Sequence, residues 1–331
     1  MLKFNEEEEV TRTKNTLKLR TKVEEAVDHV CAQGCNGAYF MGIGGTYASC
    51  LQAVNHAKSI SNLPIYAENA AEYLTTGNKR IDNKSLAVIA SVTGNTPEMV
   101  NAVKKAKKCG AYVIGFVEDE NSELASLADA EFACRDYEQL KFFMVADRLM
   151  KNNNEFQDYD KYYAQLDQYL PQGLADIQKA ADDFGLEYAQ KHYNDSIHYF
   201  VGAGNLWGAT YSYAMCYCEE EHWMRTKSIH AAEFFHGTLE IIDRDTPVTL
   251  FLGEDAERPL AERVAKFLPR ICANYTFIDT KDYPIVGIDN EFRGAISPFV
   301  MHAVTQRIDA HLEQISCHPM EIRRYYRQLK Y

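Results

Sequence analysis

The sequence predicts an α/β protein made of two tandem units, each with a doubly wound parallel sheet flanked by helices. The first observation is an internal repeat, because YFMGIG at residues 39–44 returns as YFVGAG at residues 199–204. A second match, AAEY at 70–73 and AAEF at 231–234, has nearly the same offset of about 160 residues, which indicates a duplicated unit. The third is the alternation of apolar, β-branched segments with helix-length segments, which is typical of parallel strands joined by crossovers.

The first unit begins with a charged segment, residues 6–33, that predicts an amphipathic helix with Val23, Val27 and Val30 on one stripe. A later helix begins at Pro97, because a residue without an N–H suits the first helical turn. The other predicted elements of this unit are a strand at Gly37–Met41, a helix at 47–60, a strand at Leu86–Ser91 and a strand at Tyr112–Val117.

The second unit repeats this order after a linker and a leading helix within residues 151–185. Its predicted elements are a strand at Ile197–Val201, a helix at 206–222, a strand at Val248–Leu252, a helix opened by Pro259 and a strand at Tyr275–Ile278. A basic, tyrosine-rich tail closes the chain at 318–331. We therefore expect an N-terminal helical segment (1–34), a first domain (35–155), and a second domain that includes the tail (156–331).

The composition excludes several classes of protein. With 331 residues, of which 46% are hydrophobic and 25% charged, the chain is neither disordered nor collagen-like. Its 35 basic and 47 acidic side chains give a net charge of −12, which argues against nucleic acid as a partner. The start, MLKFNEEEEVTRTKN, does not resemble a signal peptide, and no apolar run of about 18 residues follows, so we expect no membrane partner.

The nine cysteines are scattered and mostly lie in apolar segments, which is typical of reduced thiols in a cytoplasmic protein. A metal site at Cys216, Cys218 and His222 is conceivable, but the spacing is not CxxC and no second pair exists. We therefore expect no metal.

Two loops at the ends of predicted strands favour an anionic ligand. The loop after the first strand reads GIGGT at 42–46, and the loop after the second reads SVTGNTPE at 91–98. Glycines let backbone N–H groups approach an anion, hydroxyls add donors, and the following helix N-terminus favours negative charge. Neither loop has the P-loop pattern GxxxxGK[ST], so a P-loop is excluded. Tyr47 stands where the dinucleotide-binding pattern GxGxxG needs its third glycine, which argues against a dinucleotide site.

The corresponding loops of the second unit, GAGNLWG and LGEDAER, lack the hydroxyl cluster and contain Glu254 and Asp255, which would repel phosphate. We therefore expect one phosphorylated ligand for each chain. The residues predicted to contact it are Gly45, Thr46, Ser91, Thr93, Asn95 and Thr96.

A dense group of acids and histidines in the second unit offers proton transfer. Moving a proton between adjacent sugar carbons needs a carboxylate, and opening the sugar ring needs an imidazole-type acid/base. The sequence alone leaves the carboxylate open among Glu219, Glu220, Glu221 and Glu233, and the imidazole open between His230 and His236.

The duplicated unit, the Gly-rich loop, the S-x-[ST]-G-x-T loop at 91–96 and the EFFHGTLEII segment at 233–242 resemble the sugar isomerase (SIS) domain family. The resemblance covers nearly all of residues 25–331 and implies two tandem SIS domains. Within the family, the HGxLEI segment from His236 and the closing residues RRYY at 323–326 resemble the fructosamine 6-phosphate deglycases, the fructoselysine type.

The resemblance also implies roles for particular residues. The phosphate would bind at Ser91, Thr93 and Thr96 beside the turn Gly44–Thr46, a turn in which Gly45 replaces a hydroxyl-bearing residue of the family. The catalytic glutamate of the family precedes its HG histidine by about sixteen residues, which identifies Glu220.

The histidine itself, His236, would open the sugar ring, often from the neighbouring subunit, which implies a homodimer or a higher homo-oligomer. Aminotransferases of the family carry a lysine where Tyr325 and Tyr326 stand here, so a Schiff base with the enzyme is not expected. We expect Tyr326, with Tyr325 and Arg323, to shape the pocket for the amine.

The function expected from this resemblance is hydrolysis of a fructosamine 6-phosphate to glucose 6-phosphate and a free amino acid, without a metal or an organic cofactor. The alternatives are a deglycase for the isomeric glucoselysine 6-phosphate, an aldose–ketose phosphate isomerase, and a sugar-phosphate sensor without activity.

Overall fold

Two parallel sheets organise the computed structural model, which describes residues 1–135 and 137–330. The strands of the first sheet are β1 (Gly37–Gly42), β2 (Ile65–Asn69), β3 (Ser85–Ser91), β4 (Tyr112–Val117) and β5 (Ala130–Ala133), in the spatial order β2-β1-β3-β4-β5. All four pairings are parallel. Because successive parallel strands need crossovers, helices cover the sheet, and the predicted doubly wound α/β fold is confirmed.

The second sheet repeats the first. Its strands are β6 (His198–Gly202), β7 (Thr226–His230), β8 (Val248–Leu252) and β9 (Tyr275–Asp279), in the order β7-β6-β8-β9, again all parallel. The repeated tetrapeptides occupy equivalent places, since AAEY at 70–73 follows β2 and AAEF at 231–234 follows β7. The internal repeat of the sequence is therefore a repeat of the fold.

The chain divides into two compact units, which we call the first unit (residues 7–171) and the second unit (residues 1–6 and 172–331). The division falls at Pro171, inside the helix Tyr159–Ala180. The domain boundary that we predicted between residues 155 and 156 lies just before this helix. Tyr331, the last residue of the predicted tail, lies outside the described residues.

The first half of the chain has more helices than the sequence predicted. The helices are α1 (Glu6–Leu17), α2 (Arg20–Ala32), α3 (Gly45–Lys58), α4 (Ala70–Thr76), α5 (Pro97–Lys108), α6 (Glu123–Leu127), α7 (Glu138–Asn152) and α8 (Tyr159–Ala180). The single helix expected over 6–33 is broken into α1 and α2, with Lys18 and Leu19 between them. The α5 helix begins at Pro97, as predicted.

The helices of the second half are α9 (Asp182–His192), α10 (Asn205–Ser212), α11 (Arg258–Phe267) and α12 (Arg293–Ser316). The predicted helix 206–222 is instead α10 followed by a π-helix, Tyr213–Glu219, and short 3₁₀ turns form at Phe234–His236 and Thr238–Ile241. A π-helix is rare and is frequently found at functional sites.

Burial explains which strands the sequence revealed. Every residue of β1, β3, β6 and β8 is buried, and these strands read as continuous apolar runs. The strands β2 and β7 lie at sheet edges, are mostly half-buried and carry polar residues (IYAEN and TKSIH), so the apolar pattern missed them. In the described part of the chain, no helix is long and apolar enough to cross a membrane.

A buried histidine network ties α9 to the second sheet. Asp195 Oδ2 lies 2.7 Å from His192 Nδ1 and 2.9 Å from His198 Nδ1. The other ring nitrogen of His198 lies 2.8 Å from the Thr249 hydroxyl. Burial lowers the pKa of His198 to about 4, and the two imidazoles hold the pKa of Asp195 at about 2.

This network makes the fold sensitive to acid. The unfolded chain binds a proton at His198 near pH 6.5, whereas the folded chain does so near pH 4, so acidification through this window favours unfolding. Between pH 6.5 and pH 4 we expect the free energy of unfolding, measured by urea denaturation, to fall by roughly 3 kcal/mol because of His198 alone. His198→Gln should flatten this dependence, and an unchanged slope in that variant would contradict the assignment.

Candidate active site

The order of strands in the first sheet places two loops side by side. The strand β1 lies between β2 and β3, so the chain winds in opposite directions on its two sides. Ligands of doubly wound sheets bind at this switch point, outside the carboxyl ends of the strands. The loops that leave β1 and β3, Gly42–Thr46 and Ser91–Thr96, are the two that the sequence predicted as the anion site.

The loop after β1 presents backbone donors. Gly44 has φ 60° and ψ −129°, a conformation that favours glycine, and no side chain caps the N-terminus of α3. The N–H groups of Gly45 and Thr46 have no acceptor within the helix, as in any first helical turn. The Thr46 hydroxyl instead donates to Glu138 Oε2 at 3.0 Å. This loop therefore offers an anion its backbone N–H groups and the positive end of the α3 dipole.

Glu138 is a residue of this site that the sequence analysis missed. It begins α7 and interacts with the hydroxyls of Thr46 and Ser49, two residues of α3. Burial raises its pKa above the ordinary value for a glutamate, against the lowering effect of these hydroxyls. No spacing in the sequence indicates this contact, because Thr46 and Glu138 are 92 residues apart.

The loop after β3 is held by its own side chains. Ser91 Oγ accepts a hydrogen bond from the Gly94 N–H at 3.1 Å. The Asn95 side chain accepts from the Glu123 N–H at 3.0 Å and donates to the Thr93 carbonyl oxygen at 3.0 Å, which fastens the loop to α6. Thr93 is exposed and Thr96 is half-buried. In this loop the Asn95 side chain thus holds the backbone, and the Thr93 hydroxyl oxygen accepts a hydrogen bond from the Asn95 N–H at 3.4 Å.

The equivalent loops of the second unit are occupied by carboxylates of the chain itself. Gly204 has φ 59° and ψ −133°, nearly the conformation of Gly44, and precedes α10. Its N–H donates to Glu257 Oε2 at 3.0 Å, and the Asn205 N–H donates to Asp255 Oδ2 at 3.2 Å. Burial raises the pKa of Asp255. Glu254, which we expected to repel phosphate, forms an ion pair with Arg293 at 2.9 Å.

Three of the four candidate glutamates lie at the end of the π-helix, where Glu219 is its last residue and Glu220 and Glu221 follow, and the structure separates them by their partners. Glu219 accepts a hydrogen bond from the Thr226 hydroxyl at 2.9 Å. Glu220 and Glu221 are both half-buried and share one partner, the guanidinium of Arg323. Burial, with the nearby carboxylate of Asp309, raises the pKa of Glu221 to about 7. Glu233 is exposed.

The two candidate histidines also differ. His230 is half-buried, with Nδ1 accepting from the Ala232 N–H at 3.2 Å and Nε2 3.7 Å from Glu257. His236 is exposed at the end of a 3₁₀ turn and is followed by Gly237, which has φ 148°. The His236 side chain is therefore open to solvent, whereas His230 lies beside Glu257.

The tail residue Tyr326 is exposed, with the Arg327 guanidinium 5.0 Å from its ring centre. The predicted site residues thus fall into two groups. The first unit contains the loop residues Gly44, Gly45, Thr46, Ser91, Thr93, Asn95 and Thr96. The second unit contains Glu220, His236 and Tyr326.

One group of described side chains has metal-ligand geometry: atoms of His192, Asp195 and His198 lie within 4.8 Å of one another. Hydrogen bonds already account for these atoms, because each histidine contacts the Asp195 carboxylate through Nδ1 and a threonine hydroxyl through Nε2. At Cys216 and Cys218, the pair considered for zinc, Cys218 is buried, and burial raises the pKa of its thiol well above the ordinary value.

This duplicated doubly wound fold, with Gly-rich and hydroxyl-bearing loops at the switch point of its first sheet, is the architecture expected of an SIS protein. The comparisons with known proteins support this family. The SIS domain model matches residues 33–141. Fructosamine deglycase FrlB of Bacillus subtilis (strain 168) is 30% identical over 318 residues, covering 93% of this chain and 94% of the relative. Fructoselysine 6-phosphate deglycase of Escherichia coli (strain K12) is 24% identical over 312 residues, covering 92% and 89%.

Among solved structures, a Bacillus subtilis protein described as a phosphosugar isomerase superposes with a TM-score of 0.86 at 27% identity, covering 95% of this chain and 99% of its own. A glucosamine-6-phosphate deaminase from Thermotoga maritima has the same fold, with a TM-score of 0.69 at 20% identity and coverage of 97% of both chains. The chain belongs to the SIS-domain family, in the branch that contains the fructosamine deglycases.

Thr93 offers a direct test of the phosphate loop. Thr93→Val keeps the shape of the side chain but removes a hydroxyl donor to a charged ligand, so we expect the Kd for fructose 6-phosphate to rise roughly tenfold. Calorimetric titration measures this change. The control is Thr76→Val, which removes an exposed hydroxyl that bonds only within α4 and the residue after it. Equal affinities of the two variants would remove Thr93 from the site.

Proposed function

We propose that this enzyme hydrolyses a fructosamine 6-phosphate, of the fructoselysine 6-phosphate kind, to glucose 6-phosphate and a free amino acid. The observation that carries the proposal is similarity along almost the whole chain to a fructosamine deglycase, at 30% identity. The open anion site of the first unit and the glutamate pair of the second supply the two functions that the reaction needs, binding of phosphate and transfer of protons.

The phosphate group binds at the switch point of the first sheet. Backbone N–H groups of Gly45 and Thr46, with Gly44 permitting their close approach, and the hydroxyls of Ser91, Thr93 and Thr96 are the donors. Asn95 holds the second loop in place. Binding the phosphate, which does not react, fixes the position of the distant carbons C1 and C2, and so converts binding energy into positioning.

Glu220 is the proton-transfer residue of the proposal. With the sugar ring open, it removes a proton from C1 and gives an enaminol, and return of the proton at C2 leaves an imine at C1. Water adds to this imine, and the amine leaves as glucose 6-phosphate forms. The carbonyl oxygen at C2 accepts the electron pair when the C1 proton leaves, and the nitrogen donates its lone pair when C2 is protonated. These steps therefore need no group from outside the protein and its substrate. Acid/base steps of this kind contribute about 10²- to 10⁴-fold each.

His236 is the residue that opens the sugar ring. Its exposure suits a side chain that acts in the site of a neighbouring subunit, so we propose that the working enzyme is at least a homodimer. Tyr326 and Tyr325, both exposed, are the residues proposed to contact the amine part of the substrate. We further propose that the protein works in the cytoplasm, where its nine cysteines stay reduced.

An isomerase reaction is the second candidate, because it uses the same phosphate loops and the same proton transfer. The two reactions differ in their products. We expect the enzyme to release glucose 6-phosphate, detected through its dehydrogenase, and an equal amount of lysine from fructoselysine 6-phosphate. Fructose 6-phosphate, assayed in parallel, should give no glucose 6-phosphate. Turnover of fructose 6-phosphate alone would identify an isomerase, and turnover of glucoselysine 6-phosphate alone would identify the isomeric deglycase.

Replacement of Glu220 tests the mechanism. Glu220→Gln keeps the size of the side chain but cannot accept a proton, so we expect kcat to fall by at least about 10²-fold while the Kd for fructose 6-phosphate stays within about twofold. The control is Glu187→Gln, an exposed glutamate of α9 in the same unit. A Glu220→Gln enzyme with more than about a tenth of the wild-type rate would exclude Glu220 from this role.

A further inference from the structure

Arg323 of the C-terminal tail contacts both half-buried glutamates at once. Its Nε donates to Glu220 Oε1 at 2.8 Å, and its Nη2 donates to Glu221 Oε1 at 3.1 Å. Its Nη1 donates to the carbonyl oxygen of Met320. A guanidinium is a planar fork with donors in fixed directions, so three simultaneous contacts define the orientation of both carboxylates.

Tail residues on both sides of Arg323 pack against Trp223, a residue close in sequence to the glutamate pair. The ring of His318 lies 4.1 Å from the ring of Trp223, and the Arg324 guanidinium lies 4.2 Å from the same ring. Trp223 has φ 56°, which is an outlier for a bulky residue. Trp223 follows the glutamate pair closely, so these stacking contacts hold the tail where Arg323 reaches Glu220 and Glu221.

Arg323 leaves one oxygen of Glu220 available. The guanidinium contacts Oε1, while Oε2 accepts no hydrogen bond from any residue that the structure describes. A general base needs one oxygen held in place and another directed to the proton that it removes. The contact therefore restricts the carboxylate without blocking its basic atom.

The charges around the pair explain why a cation is needed. The negative charges of Asp309, in α12, and of Glu220 both repel the carboxylate of Glu221 and raise its pKa. His222 lies 3.2 Å from Asp309 and, when protonated, adds positive charge, whereas Glu219 is negative and bonds to Thr226. In this acidic group, loss of Arg323 leaves neighbouring carboxylates that repel each other and bind protons at higher pH.

We propose that Arg323 is a positioning residue of the reaction, which orients Glu220 and balances the negative charge of the glutamate pair, so that the basic tail is part of the active site. This inference rests on the proposed function of Glu220. The opposite interpretation, that the tail inhibits the enzyme by covering Glu220, predicts an increase in activity when Arg323 is removed.

The experiment compares the wild type with Arg323→Met, Arg323→Lys and Arg327→Met in the release of lysine from fructoselysine 6-phosphate across pH 5 to 9. For Arg323→Met we expect kcat at pH 7 to fall about tenfold or more, KM to change little, and the acid limb of the pH profile to move up by roughly one unit. Arg323→Lys should restore part of the rate and most of the pH profile, because lysine keeps the positive charge but lacks the planar set of guanidinium donors. Arg327→Met removes a guanidinium that packs on Tyr326 rather than one that binds the glutamates, so it should keep the wild-type pH profile.

A second measurement does not depend on the substrate. Labelling with a water-soluble carbodiimide, mapped by mass spectrometry, should modify Glu220 and Glu221 several-fold faster in Arg323→Met than in the wild type or in Arg327→Met. Unchanged labelling would overturn the inference, as would an Arg323→Met enzyme with wild-type or higher kcat. A wild type that releases no amine would instead refute the proposed function, and the labelling would still decide whether Arg323 holds the pair.

Discussion

The structure depends on the backbone N–H groups that point outward where a parallel strand turns into a helix. At the N-terminus of α3 and at that of α10, a glycine with φ near 60° exposes N–H groups that have no acceptor within the helix. Such groups, at the positive end of a helix dipole, favour a negative partner. In the second unit, Asp255 and Glu257 provide it from within the chain. In the first unit, the side chain of Thr46 bonds to Glu138 instead, and the N–H groups remain for a ligand.

This difference explains how a duplicated fold can carry two different functions. The four strands of the second sheet are ordered as the first four strands of the first sheet, so both sheets place loops at an equivalent switch point. One half keeps hydroxyls and glycines there and has no lysine or arginine in either loop, so the proposed anion site rests on backbone dipoles and neutral donors in a chain with a net charge of −12. In the other half, carboxylates of the chain bind to the equivalent loops. That half contributes Glu220 and Glu221, which follow a π-helix and accept hydrogen bonds from the Arg323 guanidinium of the tail.

The parts that the sequence predicted are those encoded by neighbouring residues. The continuous apolar runs of β1, β3, β6 and β8 identify buried strands, and the glycines and hydroxyls of the loops follow directly after two of them. The half-buried edge strands β2 and β7 lack this pattern. The contacts of Glu138 with Thr46, Glu257 with Gly204 and Arg323 with Glu220 join residues 92, 53 and 103 positions apart, which no local spacing reveals. Glu220 itself was identified by family resemblance, because its neighbours Glu219 and Glu221 have the same chemistry.

The most direct test of this account is the number of sugar phosphates that one chain binds. Calorimetric titration of the wild type with fructose 6-phosphate counts them, and a double variant, Asp255→Asn with Glu257→Gln, reports on the second unit. The account predicts one site for each chain of the wild type, with the same affinity in the double variant. Two equivalent sites in the wild type, or loss of the wild-type site in the double variant, would contradict it.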